Sequence, residues 1–240
     1  MNNLTQLRLA KAAYSLSHPR CWPALRCGVA PSIEHQAVLA GLAPDLLIDV
    51  GANRGQFSLM FRLLHPGVPV QAYEPLPGEA AVFRRVHARR HGIQLHEIAL
   101  GDACGAADLH VSARADSSSL LPIGDLQSSL FPHTAEVGLH RVEVMTLDSL
   151  APHWGGASRA LLKLDVQGFE LNVLRGAVAA LRQCAWVYVE CSEVPLYAGQ
   201  ALRGAVESFL GSHGFRVLGC FNPSYADGNL VQADYLFVQS

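Results

Sequence analysis

Apolar residues run through Leu46-Leu47-Ile48, meet Asp49, and end at Val50 before Gly51. A short apolar run between Pro44 and Gly51 suits a strand of a parallel sheet, buried on both faces. The spacing then changes: Phe57, Met60, Phe61 and Leu64 recur at helical intervals. The same alternation predicts strands over 69–73 and 93–100 around a helix over 79–92. It predicts a strand over 160–165, a helix over 169–181, a strand over 186–189 and a helix over 202–213. Strands over 215–221 and 234–238, joined by a loop over 222–229, close the chain. Alternating strands and helices predict an α/β fold with a mostly parallel sheet. Added strands are expected over 107–111 and 141–145. The stretch 113–138 has no periodic pattern and is rich in Ser, Pro, Gly and Asp. It reads as a long loop of the functional or mobile kind, able to form part of a substrate cavity.

Residues 1–44 differ. Leu4, Leu7 and Tyr14 have helical spacing over 1–16, with Arg8 and Lys11 polar, before Pro19, Pro23 and Pro31 break the chain. Ser32 is placed to cap a helix over 33–42, with Glu34 in its first turn. The segment is expected as a helical extension, either a lid or a packing element, ahead of one domain over 45–240. Its basic residues Arg8, Lys11, Arg20 and Arg26 form no compact cluster, so a membrane-surface role is weakly supported.

Half of the 240 residues are hydrophobic, enough for a large core, and the formal net charge of −2 offers no global attraction to nucleic acid. No apolar run approaches the roughly 20 residues of a membrane span. Arg8 and Lys11 interrupt what would be the core of a signal peptide. Six cysteines without Cys-x-x-Cys spacing read as buried thiols rather than a zinc site. Cytoplasmic residence is expected.

Three stretches carry chemistry. The first is Asp49-x-Gly51-x-Asn53-x-Gly55, at the carboxyl end of the first strand, where open α/β sheets bind ligands. It lacks the third glycine of a dinucleotide turn and the Lys-Ser/Thr of a P-loop. A carboxylate ahead of the first glycine repels pyrophosphate. It suits a cationic ligand such as the sulfonium and amino group of S-adenosylmethionine. The second is Glu74-Pro75 at the end of the next strand, about 20 residues on, where a carboxylate commonly takes both hydroxyls of a ribose. The third is Lys163-Leu164-Asp165-Val166-Gln167-Gly168-Phe169-Glu170. Lys163 and Asp165 are charged residues of a buried central strand and need partners. Glu170 sits in a first helical turn, where the dipole favours an anion.

The first stretch resembles the opening motif of class I methyltransferases, in the Gly-Ala-Asn form of the FkbM-type family. The third resembles that family's Lys-Ile-Asp-Val-Glu-Gly-x-Glu, with Leu164 for Ile and Gln167 for Glu. Thr146-Leu147-Asp148 also recurs in the family pattern. The resemblance covers about 46–240. It implies a Rossmann-like class I methyltransferase fold: a mostly parallel seven-stranded sheet with an antiparallel edge strand and helices on both faces. It implies S-adenosylmethionine as cofactor, held by Asp49, Gly51, Ala52, Asn53, Gly55, Glu74, Pro75 and Asp165, with Ala99, Leu100 and Asp102 along the adenine. It also implies O-methylation of a small-molecule, glycan or lipid hydroxyl. A hydroxyl acceptor needs its proton removed. Asp165 is the first candidate and Glu190 the second, with Lys163 beside them; His18, His35 and His133 are further candidates. Glu190 ends the fifth main strand beside Asp165, and such a pair can share a proton or hold a divalent cation. No cation is expected, because the Asp-Asn pair of the cation-dependent catechol-type enzymes is missing. Two rivals stay open: a non-catalytic S-adenosylmethionine-binding module and a NAD-dependent oxidoreductase. The oligomeric state is left open.

Overall fold

The computed structural model of the chain describes residues 3–240. One sheet carries, in spatial order, β3 (Ile93–His96), β2 (Val70–Tyr73), β1 (Leu46–Val50), β7 (Ala160–Leu164), β8 (Cys184–Ser192), β10 (Asn229–Gln239) and β9 (Phe215–Ala226). The first five are parallel. β10 runs antiparallel between β8 and β9, so the antiparallel edge is a hairpin whose outer member is β9. The order reverses between β1 and β7. That switch point opens a crevice at the carboxyl ends of both strands.

Side-chain alternation assigns the two faces. Leu46, Ile48 and Val50 of β1 pack with Leu162 and Leu164 of β7 against α8 (Glu170–Arg175) and α9 (Arg203–Ser212). Leu47 and Leu161 point the other way, toward α3 (Gln36–Ala40), α4 (Gln56–Leu64) and α5 (Pro77–His87). Asp49 and Lys163 share that second face and are register partners on adjacent strands; Lys163 is in turn the partner of Tyr188 on β8. The apolar face therefore ends, toward the crevice, in a row of polar groups.

A second sheet of three strands, β4 (Ala99–Leu100), β6 (Glu136–Met145) and β5 (Gly105–Ser112), flanks the first. The single strand expected over 93–100 is thus two. β3 ends at His96, and the chain turns before β4 joins β6. The stretch 113–138 is also more ordered than expected. It holds α6 (Asp125–Leu130), the start of β6, and a bridge from Ser119 back to His110. The helix expected over 169–181 ends at Arg175, and a short 3-10 turn covers Ala180–Gln183. α7 (Leu147–Leu150) is capped by Thr146, whose side chain accepts from Ser149 N.

The N-terminal segment folds as α1 (Asn3–Ser17), α2 (Trp22–Leu25), a 3-10 turn at Ile33–His35 and α3. Ser32 makes no side-chain capping bond. Met1 and Asn2 of the expected helix, and the burial of Leu4, lie outside the described residues. Lys11 of α1 pairs with Glu34 at 2.7 Å, tying the first helix to the turn ahead of α3. Cys21, Cys184 and Cys191 are buried, as expected of thiols in apolar runs, but Cys104 and Cys220 are exposed.

Candidate active site

Gly51 makes the crevice possible. Its φ is +73°, and a Cβ there would lie 1.9 Å from the carbonyl oxygen of Asp165. Only glycine lets the turn after β1 touch the chain leaving β7. Gly55, with φ +85°, opens α4, and a Cβ there would strike His87 and Phe83.

Two cavities meet along the Gly51–Asp165 contact. Gly51, Asn53, Asp116 and Asp165 line both. The first, about 650 Å³ when the open solvent at its mouth is counted, is mostly apolar. Tyr73, Pro75, Leu76, Ala99, Leu100 and Phe169 are among its walls. Its one buried carboxylate is Glu74, 6% exposed. Oε2 accepts from Asn53 N and Oε1 from Leu76 N, each at 2.8 Å. A carboxylate has about four acceptor positions, so two remain for a ligand. Burial pushes Glu74 up to about 7, against the two N–H bonds that favour its charge. An apolar slot with one convergent acid suits a nucleoside.

The second cavity is polar and spans about 760 Å³ when open solvent is counted. Lys11, Glu34 and His35 of the N-terminal segment face Lys163, Tyr188 and Asp234 of the sheet across it. Lys163 is the electrostatic pivot. Its Nζ lies 3.2 Å from Asp49 Oδ1 and 3.7 Å from Asp165 Oδ2, and donates to Gly51 O (2.9 Å) and Val50 O (3.3 Å). Burial would lower its pKa, but Asp49 and Asp165 outweigh that and hold it above the ordinary lysine value. A cation held this firmly is no proton acceptor. It fixes the turn and offsets Asp49.

Asp49 is fully buried, with Oδ2 accepting from Ser58 Oγ at 2.6 Å. It lines neither cavity. Its charge reaches a ligand only through Lys163 and the turn, not by the direct contact expected.

Asp165 is 41% exposed and opens on both cavities. Gln167 bridges it to Glu190: Nε2 donates to Asp165 Oδ1 at 2.8 Å and to Glu190 Oε2 at 2.9 Å. Gln167 Oε1 accepts from Tyr197 at 2.8 Å, and its backbone oxygen accepts from Ser119 Oγ at 2.7 Å. The amide thus separates two carboxylates where a glutamate would add a third. The other oxygen of Glu190 accepts from Gln232 at 2.8 Å. Burial first, then Asp165 and Asp234, raise Glu190 well above the ordinary carboxylate value. Glu190 neighbours Asp165 as expected but lines neither cavity. Glu170 accepts from the N–H groups of Val166 and Gly168, closing the loop after β7.

Of the remaining expected residues, Ala52 lines the polar cavity, while Gly55 shapes the turn from outside both. Asp102 is corrected. It lies on the exposed turn after β4, 3.4 Å from Asn172 Nδ2, because the chain has already left the crevice there. The bridging role of Gln167 and the placement of Asp234 beside His35 were not foreseen. A signal for the second was available: Asp234 shares its strand face with buried Leu236, and a polar group at such a position needs a partner.

Among the described residues no helix is long and apolar enough to cross a membrane. Residues 49–217 match the family model described as Methyltransferase FkbM domain. The 31-O-demethyl-FK506 methyltransferase FkbM of Streptomyces tacrolimicus is 28% identical over 212 residues, 78% of this chain and 79% of that protein. The 2-O-methyltransferase NoeI of Sinorhizobium fredii is 30% identical over 179 residues, 70% of this chain and 72% of that protein. The cofactor-bound structure of Rv0187 from MTB shares the fold, with TM-score 0.52, 14% identity, and coverage of 92% of this chain and 89% of that one. With the family match over most of the folded domain, and the Asp49–Gly55 and Lys163–Glu170 stretches meeting in one crevice, the chain belongs to the FkbM methyltransferase family.

Proposed function

We propose that the chain is an S-adenosylmethionine-dependent O-methyltransferase of a small-molecule, glycan or lipid hydroxyl. The observation that carries the reading is the buried carboxylate of Glu74 in the wall of an apolar slot, directly beside the Gly51 turn. Glu74 would hold the ribose hydroxyls, and Ala99 and Leu100 would flank the adenine. Asp165, on the rim shared with the polar cavity, would face the cationic end. When bound, the cofactor supplies an electrophilic methyl group. The residues around it orient the acceptor, exclude water and take up its proton. The printed activities of the two relatives, at a 31-O and a 2-O position, support a hydroxyl acceptor. The six free thiols support a cytoplasmic setting.

Calorimetry should show S-adenosylmethionine and S-adenosylhomocysteine binding at about micromolar Kd, near −8 kcal/mol, with no heat from NAD. Heat from NAD and none from either adenosyl ligand would remove the reading. Binding with no transfer to any hydroxyl acceptor would leave a binding module.

Glu74→Gln tests the ribose contact, although its amide NH2 then faces one of the two backbone N–H groups, of Asn53 or Leu76, that the carboxylate accepts from. The shape and one acceptor oxygen survive, but the charge is lost. Cofactor binding should weaken by about 1.5–3 kcal/mol, the scale of hydrogen bonds to a charged group. The wild-type affinity should also rise between pH 6 and 8, as Glu74, poised near 7, ionises. In Glu74→Gln that part of the pH dependence should vanish. An unchanged Kd and pH profile in the folded variant would return Glu74 to a purely structural role.

A further inference from the structure

We propose that the polar cavity is the acceptor site and that His35 takes the proton of the acceptor hydroxyl there, positioned by Asp234 and Tyr188. This rests on the methyl-transfer reading above and adds to it the group that removes the proton.

Geometry sets the tautomer. His35 Nδ1 lies 3.0 Å from Tyr188 Oη and 3.5 Å from Asp234 Oδ2. The Tyr188 hydroxyl already donates to Asp234 at 3.0 Å, so its oxygen presents a lone pair to Nδ1. Asn222 Nδ2 is 3.2 Å from Nδ1, but Asp234 Oδ2, at 2.8 Å, is its nearer acceptor. Nδ1 therefore carries the hydrogen, facing one phenol oxygen and one carboxylate. Nε2 is left with its lone pair and, among the described residues, without a hydrogen-bond partner. Phe57 and Tyr188 pack edge-on against the ring and fix its plane, at 5.2 and 5.5 Å between centroids.

His35 lines the same cavity as Asp165, Lys163 and Gly51, at the crevice where methyl and acceptor must meet. Burial lowers its pKa to about 4, with Lys163 and Lys11 adding to that effect and Glu34 opposing it. The ring is thus neutral at pH 7 and able to accept. A weak base suffices. As the hydroxyl oxygen forms its bond to the methyl carbon, the carbon–sulfur bond breaks with its pair kept by sulfur. The oxygen becomes strongly acidic, and its proton passes to Nε2. The imidazolium then faces Asp234, which orients the ring as the carboxylate does in a hydrolase triad. The proton returns to solvent after product leaves.

The N-terminal segment thereby gains a role. Lys11, Ser32, Glu34 and His35 all line the cavity and all precede the family match at 49–217. They would read the acceptor, while the matched region holds the donor.

The test has two arms. In the first, wild type, His35→Gln and Asp234→Asn are titrated with S-adenosylhomocysteine. They are then assayed with labelled donor against methyl glycosides and cyclic 1,2-diols. Cofactor Kd should stay within about twofold, and turnover should fall about 10²–10⁴-fold in His35→Gln. In Asp234→Asn, kcat should fall with an unchanged cofactor KM. Wild-type turnover in a folded His35→Gln overturns the proposal. Absence of cofactor binding in the wild type overturns the transferase reading and the proposal with it. The second arm needs no acceptor. Diethyl pyrocarbonate acylates an accessible neutral imidazole nitrogen, so peptide mapping at pH 7 should find His35 modified in the wild type. An unmodified His35 overturns the proposal whatever the acceptor panel shows.

Discussion

Lys163→Met should lose about 3–5 kcal/mol of folding stability, the scale of breaking a buried ion pair from one side. Methionine fills much of the lysine volume, so the loss would not be a packing effect. Asp49 would stay fully buried, with Ser58 as its remaining polar partner and no counter-charge on Oδ1. The carbonyls of Val50 and Gly51 would lose their donor at the same stroke, loosening the turn between the cavities. The double variant Asp49→Asn/Lys163→Met should recover at least half of the loss, since it removes the stranded charge and keeps an acceptor for Ser58. The pH window follows from the sign of the shift. The folded Lys163 pKa lies above its unfolded value, so its contribution is complete below about pH 10 and fades only as pH rises beyond that. Urea denaturation decides. A single variant within 1 kcal/mol of wild type, or a double variant no better than the single, would mean that Asp49 does not depend on Lys163.

The pairing of Asp49 with Lys163 shows how far the chain could be read without coordinates. Lys163 was legible as a charge in a buried strand that needs a partner, whereas Asp49 read as a carboxylate facing a cationic ligand. Which partner each takes depends on register. The local sequence offers Lys163 the carboxylate of Asp165, two residues on. The register of β1 and β7 brings Asp49 closer, and nothing local encodes that register. The position of Glu74 was legible for the opposite reason. Glu74 ends a strand adjacent to β1 in both chain and space, so counting along the sequence places it.

The misreadings share one cause. The strand expected over 93–100 looks continuous because no glycine or proline interrupts it, although His96 and Glu97 break the alternation. The chain nonetheless leaves one sheet for another there, a choice made by pairing with β6, more than 40 positions on. Asp102 followed that error out of the crevice to the surface. The ordered part of 113–138 depends on similarly distant contacts. Ile123 bridges to Tyr197, and Ser119 donates to Gln167. His35 was named among the histidines, but its partners lie on β8 and β10, about 150 to 200 residues away. Local periodicity reports which face a residue occupies. It carries no information about what stands opposite.

Gly51→Ala should be the most damaging small substitution in the chain: no cofactor binding and a stability loss of about 4 kcal/mol or more, in the range kept for strained or overpacked sites. An alanine with φ near +73° is strained even in open space, by about 1–2 kcal/mol. Here the space is closed as well. The added methyl would sit 1.9 Å from Asp165 O and 2.9 Å from Asp165 C, both backbone atoms, so no side chain can rotate away. The ends of β1 and β7 would have to separate. That would break the 3.2 Å bond from Asp165 N to Val50 O and pull the Gly51 carbonyl from Lys163. Both cavities share this contact, so both would be disrupted together. Gly78→Ala is the matched control. It lies inside α5, with no positive φ and no atom within 4 Å of the new Cβ, and should leave binding intact while adding about 0.5–1 kcal/mol of stability. Both variants are compared by thermal unfolding and by titration with S-adenosylhomocysteine. If Gly51→Ala melted and bound like the control, the strand ends would be far enough apart to hold a side chain, and the crevice would not depend on their contact.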